Sequence, residues 1–319
     1  MIDTLNLLGK QKKPFIFIID FEAKRPIVIP LEEARSEEIF FDINGYSNFK
    51  SSAPSFDKNI ILEKKLIDFY LYKEAFDKVR KEFINGNSFL LNLTFPTEIK
   101  INLTLEEIFK YGKAKYKLFF KDQFTVFSPE TFVIIKNDII SSYPMKGTIN
   151  AEIPNAREKI LSDEKEFAEH ITIVDLLRND LGIISQNVKV EKFRYLDLVK
   201  TNEKNLYQTS SKICGELSKD WESHIGDILY SLLPAGSVTG APKKKTVEII
   251  KNVENYERGY YTGVFGYYLN GYLESGVMIR FVEKKGEKLF FKSGGGLTIY
   301  SEVEKEYNEL SEKIYVPIA

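Results

Sequence analysis

Apolar positions along the chain follow two rhythms, and each predicts a different kind of element. Between residues 14 and 43, short apolar runs (15–19, 27–29 and 39–43) alternate with turn and charge clusters, the pattern of a β-meander. Residues 44–59 are polar and read as a loop. From 60 to 84 the spacing turns helical, with Leu62, Leu66, Phe69, Phe76, Val79 and Phe83 on one face and Asn85-Gly86-Asn87 as the stop. A strand is predicted over 88–95, a short helix near 105–111, and strands around 116–127 and 132–141. Residues 154–161 read as a loop. Ser162 or Asp163 then caps a helix that runs to Leu181 and ends at Gly182. Further helices are expected at 225–233 and from Pro242, where the missing N–H costs nothing. Strands at 264–269, 277–282 and 288–292 precede a last helix over about 301–314.

Strands joined by hairpins or long helices, rather than by regular βαβ units, predict an α+β fold and not a doubly wound one. At 319 residues the chain is long enough for two average domains or one unusually large one. Lys and Arg (45) nearly cancel Asp and Glu (46), so no global field draws in nucleic acid or anionic lipid. A single cysteine, Cys214, excludes an intrachain disulfide, and two histidines exclude a His-rich zinc site. Residues 1–30 lack a basic start followed by a long apolar run, and no stretch nears the ~20 apolar residues of a membrane span. A cytoplasmic protein is expected.

Several groups are candidates for chemistry. Lys146, in Pro144-Met145-Lys146-Gly147-Thr148, is predicted to sit in a tight turn on a defined backbone, offering a positive charge or an amine nucleophile. Glu166 and Glu169 are three apart on one predicted helix, and Glu306 and Glu309 repeat that spacing on the last. Facing each other across a cleft, such pairs would offer oxygen ligands suited to Mg²⁺; solvated Glu-x-x-Glu pairs are the plain alternative. Lys313, four residues after Glu309, is either a helix ion-pair partner or a holder of a substrate carboxylate. Arg280 in the apolar run 277–281 is either a buried carboxylate clamp or a solvent-facing strand residue. Gly294-Gly295-Gly296 allows backbone N–H groups to converge on an anion, and the run from Gly236 to Lys243 is a second glycine turn leading into a helix start.

Taken together, these motifs resemble the chorismate-utilising enzymes, a family that includes anthranilate, aminodeoxychorismate, isochorismate and salicylate synthases. The resemblance runs from about Gly86 to the C-terminus. It is carried by Ser128-Pro129-Glu130, the Lys146 motif, Glu169-His170 through Gly182, Gly236 to Lys243, Gly263-Val264-Phe265-Gly266-Tyr267, Arg280, and the glycine run followed by Glu306-x-x-Glu309. It implies one large α+β domain of two packed antiparallel sheets with helices outside. Residues 1–85 would be a short β-rich part and helix integral to that fold, and 86–319 the catalytic core.

Lysine before Gly147, where anthranilate synthases carry alanine, points to the aminodeoxychorismate synthase component I branch. There the resemblance implies that Lys146 attacks C2 of chorismate while Glu130 protonates the departing C4 hydroxyl. Ammonia then displaces the lysine, giving 4-amino-4-deoxychorismate, the precursor of p-aminobenzoate and so of folate. Glu169 and Glu309 would be the direct Mg²⁺ ligands, helped by Glu166 and Glu306. Arg280, Lys313, Tyr261, Thr239, Gly240 and Gly294–Gly296 would hold the substrate. With no glutaminase triad in the chain, a separate glutamine amidotransferase subunit or free ammonium must supply the nitrogen.

Two departures from the family pattern matter. Leu90 stands where relatives carry Gln or Lys, which argues against the water-activating isochorismate and salicylate branches. Gln208 stands where many carry His, leaving Glu130 more of the acid role. Anthranilate synthase component I and a catalytically silent chorismate-binding subunit are the alternatives.

Overall fold

The two rhythms become two kinds of layer. A computed structural model describes residues 1–49, 59–200 and 205–318 of the chain. Its helices are α1 (Ile2–Lys10), α2 (Phe69–Ile84), α3 (Leu105–Tyr111), α4 (Ala156–Ser162), α5 (Glu164–Ile184), α6 (Ile225–Leu232), α7 (Lys243–Val253) and α8 (Val303–Glu312). Among the described residues, the strands form two nine-stranded sheets paired antiparallel throughout. The first runs Met145–Asn150, Asn205–Glu216, Ile139–Ser142, Thr131–Lys136, Tyr272–Val277, Val264–Leu269, Phe15–Ile19 and Ile27–Pro30, with Gln186–Lys200 also on Asn205–Glu216. The second runs Gly240–Ala241, Leu90–Ile101, Lys288–Leu297, Phe281–Lys285, Phe124–Ser128, Tyr116–Phe120, Ile39–Ile43 and Tyr46–Ser47, with Leu62–Lys65 on Leu90–Ile101. The expected α+β architecture of two packed sheets in one domain is what the chain forms.

Strand Phe15–Ile19 shows why the sheets stack. All five residues are buried, because successive side chains point to opposite faces and both faces are covered. Phe15, Phe17 and Ile19 meet Leu5 of α1, Val174 and Leu181 of α5, Trp221, and Leu229 of α6. Ile16 and Ile18 instead meet Phe41, Tyr116, Leu118 and Phe281 of the second sheet. The outer face of the second sheet is covered by α2, α7 and α8, through Tyr72, Phe76, Ile249 and Leu310 against Leu91, Leu93 and Phe95. Burying each such large side chain contributes roughly 1.5–3 kcal/mol, so the helices are held by the faces they cover.

Several expectations need correction. The predicted helix over 60–84 begins only at Phe69, where Asp68 caps it by accepting from Tyr70 N–H; Leu62–Lys65 is a strand. A Leu62/Leu66 spacing fits either element, and pairing with Leu90–Ile101 decided it. Helix α1 was not anticipated, nor was α4, whose residues read as loop. Helix α5 runs past Gly182 to Ile184, because a side-chain-free position with open space around it does not by itself stop a helix. The long strands Gln186–Lys200 and Asn205–Glu216 escaped notice because register shifts break their alternation. Of the polar loop at 44–59, Tyr46–Ser47 pairs as a strand, and residues 50–58 lie outside the described residues. Arg280 is not within a strand: one strand ends at Val277, the next begins at Phe281, and Arg280 turns between them at φ 53°. The segment around Lys146 is likewise no turn but the strand Met145–Asn150.

Candidate functional site

Two places where the chain crosses from one sheet to the other define the site. Glu130 lies between Phe124–Ser128 of the second sheet and Thr131–Lys136 of the first, and Arg280 on the return crossing. The crossings are hydrogen-bonded to each other, Val277 N–H to Glu130 O and Phe127 N–H to Arg280 O, both at 3.1 Å. Each therefore presents its charged side chain to the same cavity, of about 140 Å³. Lys146, Tyr261, Gly294, Gly296 and Lys313 line it too, with Asn92, Ile173, Ser237 and Ile279, which the sequence reading did not single out. Ser237 nonetheless lies in the Gly236 to Lys243 turn, and Ile173 in the run from Glu169 to Gly182. No signal in the sequence marked Asn92 or Ile279.

Lys146 is placed by a bulge. Its carbonyl accepts from the Thr209 hydroxyl, and the pairing with Asn205–Glu216 shifts register between Lys146 and Thr148. Gly147 takes up the irregularity at φ 68°, a conformation that costs other residues roughly 1–2 kcal/mol. A Cβ there would also lie 2.7 Å from Glu166 Oε2, so that carboxylate would have to shift. Gly147→Ala is therefore expected to lower the thermal midpoint and to shift Lys146, so that turnover falls by more than the folded fraction does. Melting curves and assays on one preparation would check this; full activity at an unchanged midpoint would show the bulge to be dispensable.

The strand Lys288–Leu297 supplies the opposite wall as bare main chain. Cβ atoms at Gly294 and Gly296 would collide with Leu93 O (2.3 Å) and approach Lys146 Nζ (3.2 Å) and Leu90 Cδ1 (3.4 Å). At Gly295 the strand faces the other way, and a Cβ would lie 3.4 Å from Glu306 Oε2 and 3.7 Å from both Glu309 Oε1 and Lys313 Nζ. Leu90 is therefore a buried neighbour of the Lys146 amine. Thr239 and Gly240 lie beside the cavity and not on its lining. Thr239 Oγ1 donates to Ala235 O at 2.9 Å. Gly240, at φ 139°, leaves room for Leu90 O, which a Cβ would approach to 1.8 Å. Gln208 pairs with Thr148 across the strands that carry Lys146.

Charge in the cavity is unevenly matched. Burial pushes the Glu130 carboxyl above the usual carboxylate range, while a hydrogen bond from Ser237 Oγ and the charges of Lys146, Arg280 and Lys313 pull it back. The net direction is up. Burial lowers the Lys313 amine, opposed by Glu309 at 2.5 Å, and Lys313 also donates to Gly294 O at 3.0 Å. Arg280 stacks 5.4 Å above the Tyr315 ring, yet its buried Nε has no hydrogen-bond partner. Among the described residues no carboxylate pairs with it, so it offers its fork to an incoming anion. His170 is buried with Nε2 2.6 Å from Ser211 Oγ, and burial lowers it to about 4, leaving the ring neutral.

The four acidic candidates come as two pairs near opposite ends of the Lys146–Gly296 contact. Glu166 of α5 reaches Gly147, and Glu306 and Glu309 of α8 reach Gly295; Glu169 is one helical turn beyond Glu166. Among the described residues no three His, Cys, Asp or Glu side chains gather into a ready-made metal group. An all-oxygen set completed by water and substrate is nevertheless the kind Mg²⁺ accepts, since it keeps several waters and uses few protein carboxylates. Carboxylate oxygens are the kind of donor that ion takes.

Among the described residues no helix is long and apolar enough to cross a membrane. A protein 50% identical over 317 residues, covering 99% of this chain and 96% of its own, is the "Uncharacterized PabA-like protein" of Haemophilus influenzae. Aminodeoxychorismate synthase component 1 of Bacillus subtilis is 30% identical, matching 76% of this chain and 54% of its own length. Among solved structures, anthranilate synthase component I of Streptococcus pneumoniae superposes with a TM-score of 0.69 at 28% identity, over 80% of this chain and 59% of that one. The sequence profile described as chorismate binding enzyme matches residues 16–319. With a cavity that gathers Glu130, Lys146 and Arg280 at the sheet crossings, and a profile match over almost its whole length, the chain belongs to the chorismate binding enzyme family.

Proposed function

We propose that this chain converts chorismate and ammonia to 4-amino-4-deoxychorismate, as an aminodeoxychorismate synthase component I. The observation that carries the reading is the Lys146 amine in the cavity, beside the glycine wall and sharing the lining with Glu130, a carboxyl whose pKa burial raises. Lys146 Nζ bonds to C2 of the ring as the C4–O bond breaks, and Glu130 gives its proton to the leaving hydroxyl, which departs as water. Ammonia then bonds to C4 as the bond to lysine breaks, and its surplus proton returns to Glu130. Two allylic displacements replace one difficult substitution. Arg280 and Lys313 would hold the substrate carboxylates, and Tyr261 would close the pocket against them. Leu90 fits this reading because a buried leucine beside the amine cannot activate water for a hydroxylated product. The similarity to the Bacillus subtilis synthase supports it as well.

Glu169 and Glu309, with Glu166 and Glu306, would hold Mg²⁺. The bound ion would neutralise a substrate carboxylate beside the reacting ring. Chelation is accordingly expected to stop turnover and Mg²⁺ to restore it, with Glu309→Ala needing more of the ion than the wild type. Turnover that survives exhaustive chelation at its full rate would remove the metal from the scheme. The nitrogen is expected to come from a separate glutamine amidotransferase or from ammonium.

The deciding assay mixes the protein with chorismate, Mg²⁺ and ammonium, with and without an aminodeoxychorismate lyase, and reads products by mass spectrometry. p-Aminobenzoate formed only with the lyase is the expected result. A second reading is favoured by the Streptococcus pneumoniae structure, and anthranilate as the product would establish it.

A further inference from the structure

Behind the cavity wall lies an ion pair that none of this chemistry uses. Arg258 and Glu254 are buried, their side chains 2% and 1% exposed, with Nη2 and Oε1 2.6 Å apart. The guanidinium directs its other N–H groups at main chain: Nη1 donates to Val238 O at 2.8 Å, and Nη2 to Asn92 O at 2.6 Å. Nη1 also reaches Thr262 Oγ1 at 3.3 Å, and that hydroxyl donates to Tyr261 O at 2.6 Å. Glu254 Oε1 accepts both the N–H and the hydroxyl of Thr94 at 2.8 Å.

Asn92, Val238 and Tyr261 come from three segments far apart in sequence, and all three line the cavity. One planar fork thus joins two walls directly, at Asn92 O and Val238 O, and reaches the third, Tyr261, through the Thr262 hydroxyl. Buried ion pairs are weak contributors to stability, since apolar residues of similar volume often serve as well. A pair whose guanidinium also donates to two walls of one cavity has a more specific explanation. We infer that Arg258, oriented by Glu254, is a positioning residue that sets the spacing of these walls and thereby the alignment of the bound ring with Lys146 and Glu130. The inference rests on the reading of this cavity as the chorismate site.

Two variants test it. Arg258→Lys keeps the charge beside Glu254 but cannot reach both carbonyls with one planar group. Arg258→Met combined with Glu254→Leu removes both charges, so that neither is left buried and unpaired. For each variant that melts cooperatively, kcat is expected to fall about 100-fold, the effect of a misplacement near 1 Å, while the KM for chorismate changes far less. Hydrogen exchange should rise together at 89–94, 236–240 and 259–263. A lowered thermal midpoint with kcat and KM unchanged well below it would overturn the inference and leave the pair a structural element. Should the wild type leave chorismate untouched, the chorismate reading fails by itself and exchange decides: unchanged protection in all three segments overturns the positioning role.

Discussion

Replacing Lys146 by alanine is expected to cut 4-amino-4-deoxychorismate formation by about 10³-fold or more, because it removes the nucleophile and not merely a contact. The fold should survive. The strand holds Lys146 through main-chain pairing and through the Thr209 hydroxyl on its carbonyl, neither of which needs the side chain. Intact-protein mass spectrometry gives the sharper readout. Wild-type protein quenched during turnover without ammonia should carry a chorismate-derived adduct that Lys146→Ala lacks, while both melt alike. A variant that retains turnover, or that still accumulates the adduct, would sink the covalent route and return Lys146 to the role of a point charge.

Glu130→Gln is expected to lower kcat by 10²- to 10⁴-fold, the usual range for removing a positioned general acid. The pH dependence should distinguish this from a packing effect. Because burial raises the folded Glu130 above the unfolded carboxylate range, the acid form persists to higher pH, and wild-type activity should fall as pH rises through that raised value. The variant should lack this limb. Wild-type stability should fall over the same window. A raised carboxyl contributes fully below its unfolded value, and that contribution is lost as pH climbs through the folded one. Glutamine does not titrate, so the variant's midpoint should gain on the wild type as pH rises across that window. A parallel pair of stability curves would mean that Glu130 is not held protonated by the fold.

How much of this was legible beforehand follows from what each residue depends on. The core strands could be read because their runs are short, apolar and bounded by turns, and Phe15–Ile19 needs nothing more. The capped helices could be read for the same local reason, as Asp163 and its bond from Glu166 N–H show for α5. The Lys146 motif could be read as chemistry but not as geometry: Pro and Gly looked like a turn, whereas pairing with a distant strand made a bulged strand of it. Arg280 was harder still, since alternation assigned it to a strand that the sheet crossing interrupts. Asn92 and Arg258 carried no local mark at all, and Val238 only its place in the Gly236 to Lys243 turn. Their importance exists only once three remote segments converge.

Successive glycines at 294 to 296 leave main chain where a side chain would otherwise stand between the ring cavity and the carboxylates of α8. Mutation there can only add bulk, towards Leu93 O and Lys146 on one face and Glu306 on the other. The wall is thus nearly closed to evolutionary adjustment. Divergence in what the site accepts has to be written at other positions, such as Leu90, Ser237 and Ile279, where side chains of different size and polarity can be exchanged one at a time.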